Sequence, residues 1–320
     1  MRRVLVLGGT AWLGREIARV AVAGGAEVVC LARGESGPVP DGARLIRADR
    51  TRPGAYDGLD GDWDEVVELA YDPILVGSAL AALGDRARHW TLVSSVSVYR
   101  DTDRPGADET AEVVEPLDPA DYAQAKVAAE RATAARLGDR LLTVRPGLIV
   151  GPGDPTDRFG YWPARLHRGG RVLTPATGGR HVQVIDVGDL ADWIVAAGTA
   201  GRTGTIDAVG ARHNFAEFLA EAQAVTGFTG ELVPASDDRL IAAGVRFWAG
   251  PRSLPLWLPA EDGGLVQRSN ARYLAAGGRI RPLRETIERV RADEVARGVD
   301  RVRRSGLGAD EEAEALGLLG

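Results

Sequence analysis

Short apolar runs rich in β-branched residues recur through the first half of the chain, and each is followed by a stretch with helical spacing. RVLVL at 3–7, AEVVCLARGES, LIRADR, WDEVVELAY, HWTLVSSVSVY and RLLTVRPGLIV carry these runs. Most are continuous rather than alternating in polarity, the pattern of strands buried on both faces. The order of strands and helices up to residue 150 predicts a parallel sheet with helices on both sides. From Gly151 the texture changes. GPGDPTDRFGYWPARLHRGGRVLTPATGGR is rich in Gly and Pro, as expected of a segment that leaves the sheet and covers its carboxyl edge. VQVIDVGDLADWIVAAG and GTIDAVG then read as a return to the sheet, and NFAEFLAEAQAVTG as a helix with Asn214 as its cap. The last stretch, DRVRRSGLGADEEAEALGLLG, is charged and weakly periodic and is expected to be a frayed tail without chemistry.

The first strand leads directly into GGTAWLGREIARVAVAGG. A helix starting there aims its unpaired N–H groups and positive dipole end at the glycine turn, which is how a dinucleotide pyrophosphate is held. Gly8, Gly9 and Gly14 supply the turn and the close packing, while Ala11 stands where the fingerprint has its middle glycine. The expected fold is therefore α/β: a Rossmann-type doubly wound parallel sheet with a smaller C-terminal substrate lobe interleaved in sequence. The dinucleotide-binding domain takes residues 1–150 with returns at 182–212, the substrate lobe 151–181 and 213–300, and a flexible tail 301–320. At the end of the second strand, an acidic residue would bind a ribose 2′-hydroxyl, but the chain has Ala32 followed by Arg33. A guanidinium there can clamp a 2′-phosphate, so NADP(H) is favoured over NAD(H) as cofactor. Asp49 is placed to accept from the adenine amino group.

Candidate chemistry centres on one residue. Lys126 is the only lysine among 39 basic residues, and it follows Tyr122 by four in YAQAK. Where Arg serves, this sequence uses Arg, so a retained Lys implies a need for a compact ammonium on a flexible stem. On a helix the two side chains share a face. A phenol titrates near pH 10, roughly, and a neighbouring cation is expected to draw that value down towards neutrality.

Together these segments resemble the extended and atypical short-chain dehydrogenases/reductases, the NAD-dependent epimerase/dehydratase family. The resemblance spans residues 3–210 and rests on GGTAWLGR, WDEVVELAY, HWTLVSSVSVY, YAQAK, RLLTVRPGLIVGPGD and HVQVIDVGDLADWI in this order. It implies that Ser95 hydrogen-bonds the substrate oxygen beside Tyr122, with Ser94 and Ser97 as lesser candidates. Strand alternation would point Ser95 and Ser97 one way and Ser94 the other. It implies that Lys126 binds the nicotinamide ribose hydroxyls. Gly8, Thr10, Ala11, Trp12, Leu13, Gly14, Arg33, Asp49, Leu69, Ala70 and Pro146, with Tyr122 and Lys126, would line the cofactor. The acidic pair of the water-eliminating members is replaced by Val96 and Ser97, which disfavours dehydration. Strand four ends Glu68-Leu69-Ala70-Tyr71 rather than His-Leu-Ala-Ala, so Tyr71 projects towards the substrate and argues against a nucleotide-sugar pocket. Ser97 and Arg180 are further candidate substrate contacts, with His181 beside them.

Composition trims the alternatives. The formal charge of −6 gives no basic surface for nucleic acid. Cys30 is the sole cysteine, so no disulfide forms within the chain, and it reads as a small buried hydrophobe. No run of residues looks like a signal peptide or membrane span, and a cytoplasmic location is expected. His89, His167, His181 and His213 lack paired spacing, so no metal site is expected. Trp162, Trp248 and Trp257 fall where a substrate pocket would be built, though each suits an ordinary core. The reading favoured by Arg33 is NADP(H)-dependent reduction of a small-molecule carbonyl with Tyr122 as general acid/base. The alternatives are a redox-neutral sugar or nucleotide-sugar epimerase with retained NAD(P), and a cofactor-binding regulator without turnover. The partner is a small-molecule substrate, the chain being a monomer or homodimer.

Overall fold

A computed structural model of the chain describes residues 1–319. Seven parallel strands form the central sheet, and the buried runs of the sequence supply them. They are β1 (Arg3–Leu7), β2 (Glu27–Ala32), β3 (Ala43–Arg47), β4 (Glu65–Glu68), β5 (Trp90–Val93) and β6 (Leu141–Pro146), with β10 (Gly204–Ala208) added later in the chain. Their order is β10-β6-β5-β4-β1-β2-β3. The chain therefore leaves β1 towards one edge and returns at β4 towards the other. The crevice between the carboxyl ends of β1 and β4 is the switch point at which such sheets bind ligands.

Alternation along β1 shows why both faces are covered. Val4 and Val6 pack with Ile17, Ala18, Leu190 and Ile194, from α1 (Trp12–Ala23) and α5 (Val187–Thr199). Leu5 and Leu7 point the other way, to Val76, Leu80, Leu83 and Leu137 of α2 (Pro73–Leu83) and α3 (Tyr122–Leu137). A strand with apolar side chains on both faces is stable only when sandwiched in this way.

The second half builds its own core over the carboxyl edge. After β7 (Leu148–Val150) come α4 (Arg158–Arg168), β8 (Arg171–Pro175) and β9 (His181–Asp186), then, beyond β10, β11 (Arg212–Asn214) and α6 (Phe215–Thr226). These are followed by β12 (Glu231–Ala235), α7 (Asp237–Ala242), β13 (Arg246–Trp248), β14 (Ser253–Pro255), α8 (Ala271–Ala275) and α9 (Leu283–Arg297). β11, β9 and β7 form one small sheet, β12 and β8 a second, and β13 and β14 a third. Phe159 and Trp162 of α4 interlock with Phe215 and Phe218 of α6, ring centroids lying 5.4 to 5.9 Å apart. Ile287 and Val290 of α9 and the buried Trp257 close this cluster.

The C-terminal stretch departs from its expected frayed state. Residues Ala309–Leu319 form helix α10, and its Glu312 is buried. That carboxylate accepts from Arg165 Nε at 2.5 Å and from Leu173 N at 3.0 Å. Before it, Arg301 and Arg303 reach Glu294 of α9 at 3.1 and 2.6 Å. The charges that looked like solvated residues in sequence are mostly the partners of charges elsewhere.

Removing one member of a buried pair leaves the other uncompensated, so Glu312→Ala should cost about 3–5 kcal/mol of stability. Denaturant unfolding monitored by tryptophan fluorescence checks this; a loss below about 0.5 kcal/mol, the range of ordinary surface substitutions, would mean that α10 adds nothing to the fold.

Candidate functional site

The glycine turn has the shape that a pyrophosphate needs. Gly8 has φ 97°, and the Ala11 N–H donates to its carbonyl at 3.0 Å. A Cβ on Gly14 would lie 2.5 Å from the Gly8 carbonyl oxygen and 2.7 Å from Leu69 Cδ1. One on Gly9 would overlap Cys30 Sγ, so the buried cysteine fills the space beneath the turn. Burial pushes its thiol up to about 12, leaving it inert. Ala11 is the N-cap of α1 and has no side chain that can cap. The first N–H groups of that helix thus stay available to an anion. These features fit a dinucleotide.

Two cavities meet at the turn, since Ala11 and Leu69 line both. The outer one, about 360 Å³, is walled by Gly8, Thr10, Arg33, Asp49, Leu69 and Ala70. Arg33 is exposed there and lies 3.2 Å from Glu35. Asp49 accepts from Thr51 N and Oγ1 at 3.0 and 2.7 Å, bonds that hold its carboxyl below the usual range. It is a turn residue as well as a wall residue. The inner cavity, about 530 Å³, brings together Trp12, Leu13, Gly14, Tyr71, Ser95, Ser97, Tyr122, Lys126 and Pro146.

Lys126 is buried, and its Nζ donates to the Val93 carbonyl at 2.7 Å, where β5 ends. The ammonium sits 4.9 Å from the Tyr71 ring centre and 5.9 Å from that of Tyr122. Burial lowers its pKa to about 8, opposed by the charges of Glu68 and Glu130. The rings of Tyr71 and Tyr122 meet edge to face at 5.0 Å. The Tyr122 phenol is not drawn down towards neutrality as expected. Desolvation by its surroundings raises it, and the opposing influences come from the neighbouring Ser95 hydroxyl and the charge of Arg158, not Lys126. Ser95 Oγ lies 3.1 Å from Ser97 Oγ and accepts from Ser97 N at 3.1 Å.

Several expectations are corrected. The fifth strand stops at Val93, and Val96–Val98 forms a 3₁₀ turn capped by Ser95. Ser95 and Ser97 are thus neighbours through the turn rather than through strand alternation, and Ser94, buried without a partner, lines the same cavity. Arg180 lines neither cavity. Its guanidinium is spent on the Ala176 and Leu258 carbonyls and on Asp237, bracing the second core. His181 stands on β9 and lines neither cavity. Of the three tryptophans, Trp162 and Trp257 are fully buried in the core, and only Trp248 reaches the inner cavity.

Other wall residues were not singled out in the sequence. Thr156, Arg158 and Gln183 line the inner cavity with Trp248, Leu265 and Val266. The run DPTDR held the only local signal for Arg158, and nothing in it ranks that arginine above the others. Glu68, noted only as a departure, is fully buried and forms a paired bond with Arg50 at 2.7 and 3.0 Å. Its Oε1 also accepts from Ala70 N at 2.8 Å, fixing the backbone beside Leu69, which lines both cavities. Among the described residues no group of three or more His, Cys, Asp or Glu is arranged to hold a metal ion, and no helix is long and apolar enough to cross a membrane.

The family model for the NAD dependent epimerase/dehydratase family matches residues 4–210. No curated protein matches the sequence. Solved structures do. UDP-glucose 4-epimerase of Thermus thermophilus, in complex with NAD, superposes with a TM-score of 0.66 at 19% identity, covering 91% of this chain and 98% of that one. UDP-N-acetylglucosamine 4-epimerase of Bacillus cereus gives 0.69 at 17%, covering 94% and 99%. RMD of Pseudomonas aeruginosa, complexed with NADPH, gives 0.68 at 19%, covering 93% and 100%. At these identities the likeness is one of fold.

Because Lys126 is the sole lysine, isotopically labelled lysine should give one side-chain resonance with a titration midpoint near 8. The sign for stability follows. The unfolded chain holds this proton up to about pH 10.4, so stability should rise with pH between the two midpoints as the buried charge is relieved. A midpoint at or above about 10 would show that the ammonium is solvated rather than buried.

Proposed function

Because the chain belongs to the NAD dependent epimerase/dehydratase family, we propose that it is an NAD(P)-dependent enzyme that oxidises a substrate alcohol carbon and reduces it again on the opposite face, an epimerisation with no net consumption of cofactor. One observation carries the reading. Ser95, Tyr122 and Lys126 line a single cavity that opens directly from the glycine turn. A bound nicotinamide supplies the reversible hydride acceptor that this chemistry requires.

The chain's own groups do the rest. Tyr122 exchanges the proton of the substrate oxygen as C–O passes to C=O and back. Ser95 would orient that oxygen, and Lys126, anchored by the Val93 carbonyl, would hold the ribose of a bound nicotinamide cofactor. Val96 and Ser97 replace the acidic pair that water elimination needs, so the carbonyl intermediate is reduced again rather than losing water. Support for epimerisation over net reduction comes from the family and from solved neighbours that are themselves 4-epimerases by name.

A second reading, reduction of a carbonyl by NADPH, is favoured by two observations. Desolvation raises the Tyr122 phenol above its ordinary value, favouring the protonated form that donates to a carbonyl oxygen. Arg33 lines the outer cavity, where it would meet the 2′-phosphate of a bound NADPH.

Absorbance at 340 nm separates the two: interconversion of epimers without net absorbance change supports the first, and stoichiometric loss of NADPH with a carbonyl supports the second. In either case Tyr122→Phe should lower turnover by about 10²–10⁴-fold while cofactor affinity, read by nucleotide fluorescence, stays within a factor of about two. Full turnover in that variant would remove Tyr122 from the chemistry.

A further inference from the structure

The inner cavity has a charge of its own that the proton-exchange chemistry does not use. In a chain of net charge −6, its charged wall residues are Lys126 and Arg158, and no carboxylate lines it. Low-dielectric walls bearing one sign of charge concentrate the opposite sign from solution.

Arg158 differs from four arginines of the surrounding segments. Arg165, Arg297, Arg301 and Arg303 each pair with a carboxylate. Among the described residues Arg158 has no carboxylate within ion-pair distance, and its Nε donates only to Thr156 Oγ1 at 3.2 Å. The nearest acid, Asp154, turns its oxygens onto Thr156 N and Oγ1 at 2.8 and 3.0 Å. The guanidinium lies 5.3 Å from the ring centre of Trp248. That ring is displayed by a backbone at φ 66°, a strained conformation for a bulky residue, held by a hydrogen bond from Trp248 N to the Trp257 carbonyl at 2.9 Å.

The position of Arg158 is also set from afar. Asp157, itself at φ 60°, gives its carboxylate to Arg301 and to Arg304 N rather than to capping α4. The C-terminal segment therefore fixes the first turn of α4, and with it the base of the Arg158 side chain. A planar cation over an aromatic ring, lining a cavity and with no hydrogen bond to its terminal nitrogens among the described residues, is a recognition element for an oxyanion.

We propose that Arg158, stacked on Trp248, binds an oxyanion of the substrate, so that the compound turned over carries a carboxylate or phosphate close to its reacting carbon. This rests on the inner cavity being the substrate site, as in the function proposed above. It narrows the substrates to acidic hydroxy or oxo compounds and sets aside neutral sugars and simple ketones.

The test measures binding without turnover. The full chain, with and without saturating NADP⁺, is titrated calorimetrically with tartrate, inorganic phosphate, UDP and, as a neutral probe, glycerol. At least one anion should bind with a dissociation constant below about 10 mM, glycerol should not bind, and Arg158→Met should weaken the anion about tenfold or more. Arg158→Lys, which keeps the charge but not the fork, should fall between. Tartrate alone would identify a carboxylate as the group recognised, and phosphate together with UDP a phosphate. An unchanged NADP⁺ affinity and an unchanged unfolding midpoint show that the variants are folded. If no anion binds the wild type, or if Arg158→Met binds it equally well, the proposal is overturned. Neither result touches the proton chemistry, which the Tyr122→Phe assay judges separately.

Discussion

A single bond from Lys126 Nζ to the carbonyl that ends β5 sets the geometry on which the candidate site depends. It anchors the first turn of α3 to the carboxyl edge of the central sheet, with the ammonium under the rings of Tyr71 and Tyr122. An ammonium this deeply buried is costly unless it is hydrogen-bonded and compensated by charge. Val93 supplies the bond, and Glu68 and Glu130 supply the charge. Glu68 is in turn held by Arg50 and holds Ala70 N, so the same carboxylate shapes the wall shared by the two cavities. Arginine could not take this position, because a planar fork of five donors has no matching set of acceptors at one strand end.

The rest of the molecule closes over this edge. The second core, centred on Phe159, Trp162, Phe215 and Phe218, rigidly supports α4, and the C-terminal segment ties Asp157 and Glu294 together through Arg301 and Arg303. Charge is sorted in the process. Several arginines near α4 find a carboxylate, whereas Arg158 lines the cavity. A stretch distant in sequence from the glycine turn thereby decides what the turn's neighbouring pocket can recognise.

The parts that were legible early share a physical cause: they are local. GGTAWLGR states its own turn because Gly8 and Gly14 are required by positive φ and by close approach within a few residues. YAQAK states its own face because helical geometry places residues four apart together. What went astray depended on distant partners. Arg180 and Arg158 are both arginines in Gly/Pro-rich surroundings, and only the fold reveals that the first meets Asp237 and the second meets no acid. The serines after Val93 read as strand, but the chain turns there to accommodate the packing of α3 on the sheet edge.

The sequence by itself determined the doubly wound sheet, the glycine turn at its switch point and the pairing of phenol with ammonium, because each is encoded by periodicity or by contacts within one turn of chain. Tertiary structure alone decided the sign and walls of the inner cavity, the protonation tendency of Tyr122 and the docking of α10. Those depend on desolvation and on which charges meet across as many as 147 residues of chain, as in the pair Arg165–Glu312, and such long-range neutralisation leaves no periodic trace in the order of amino acids.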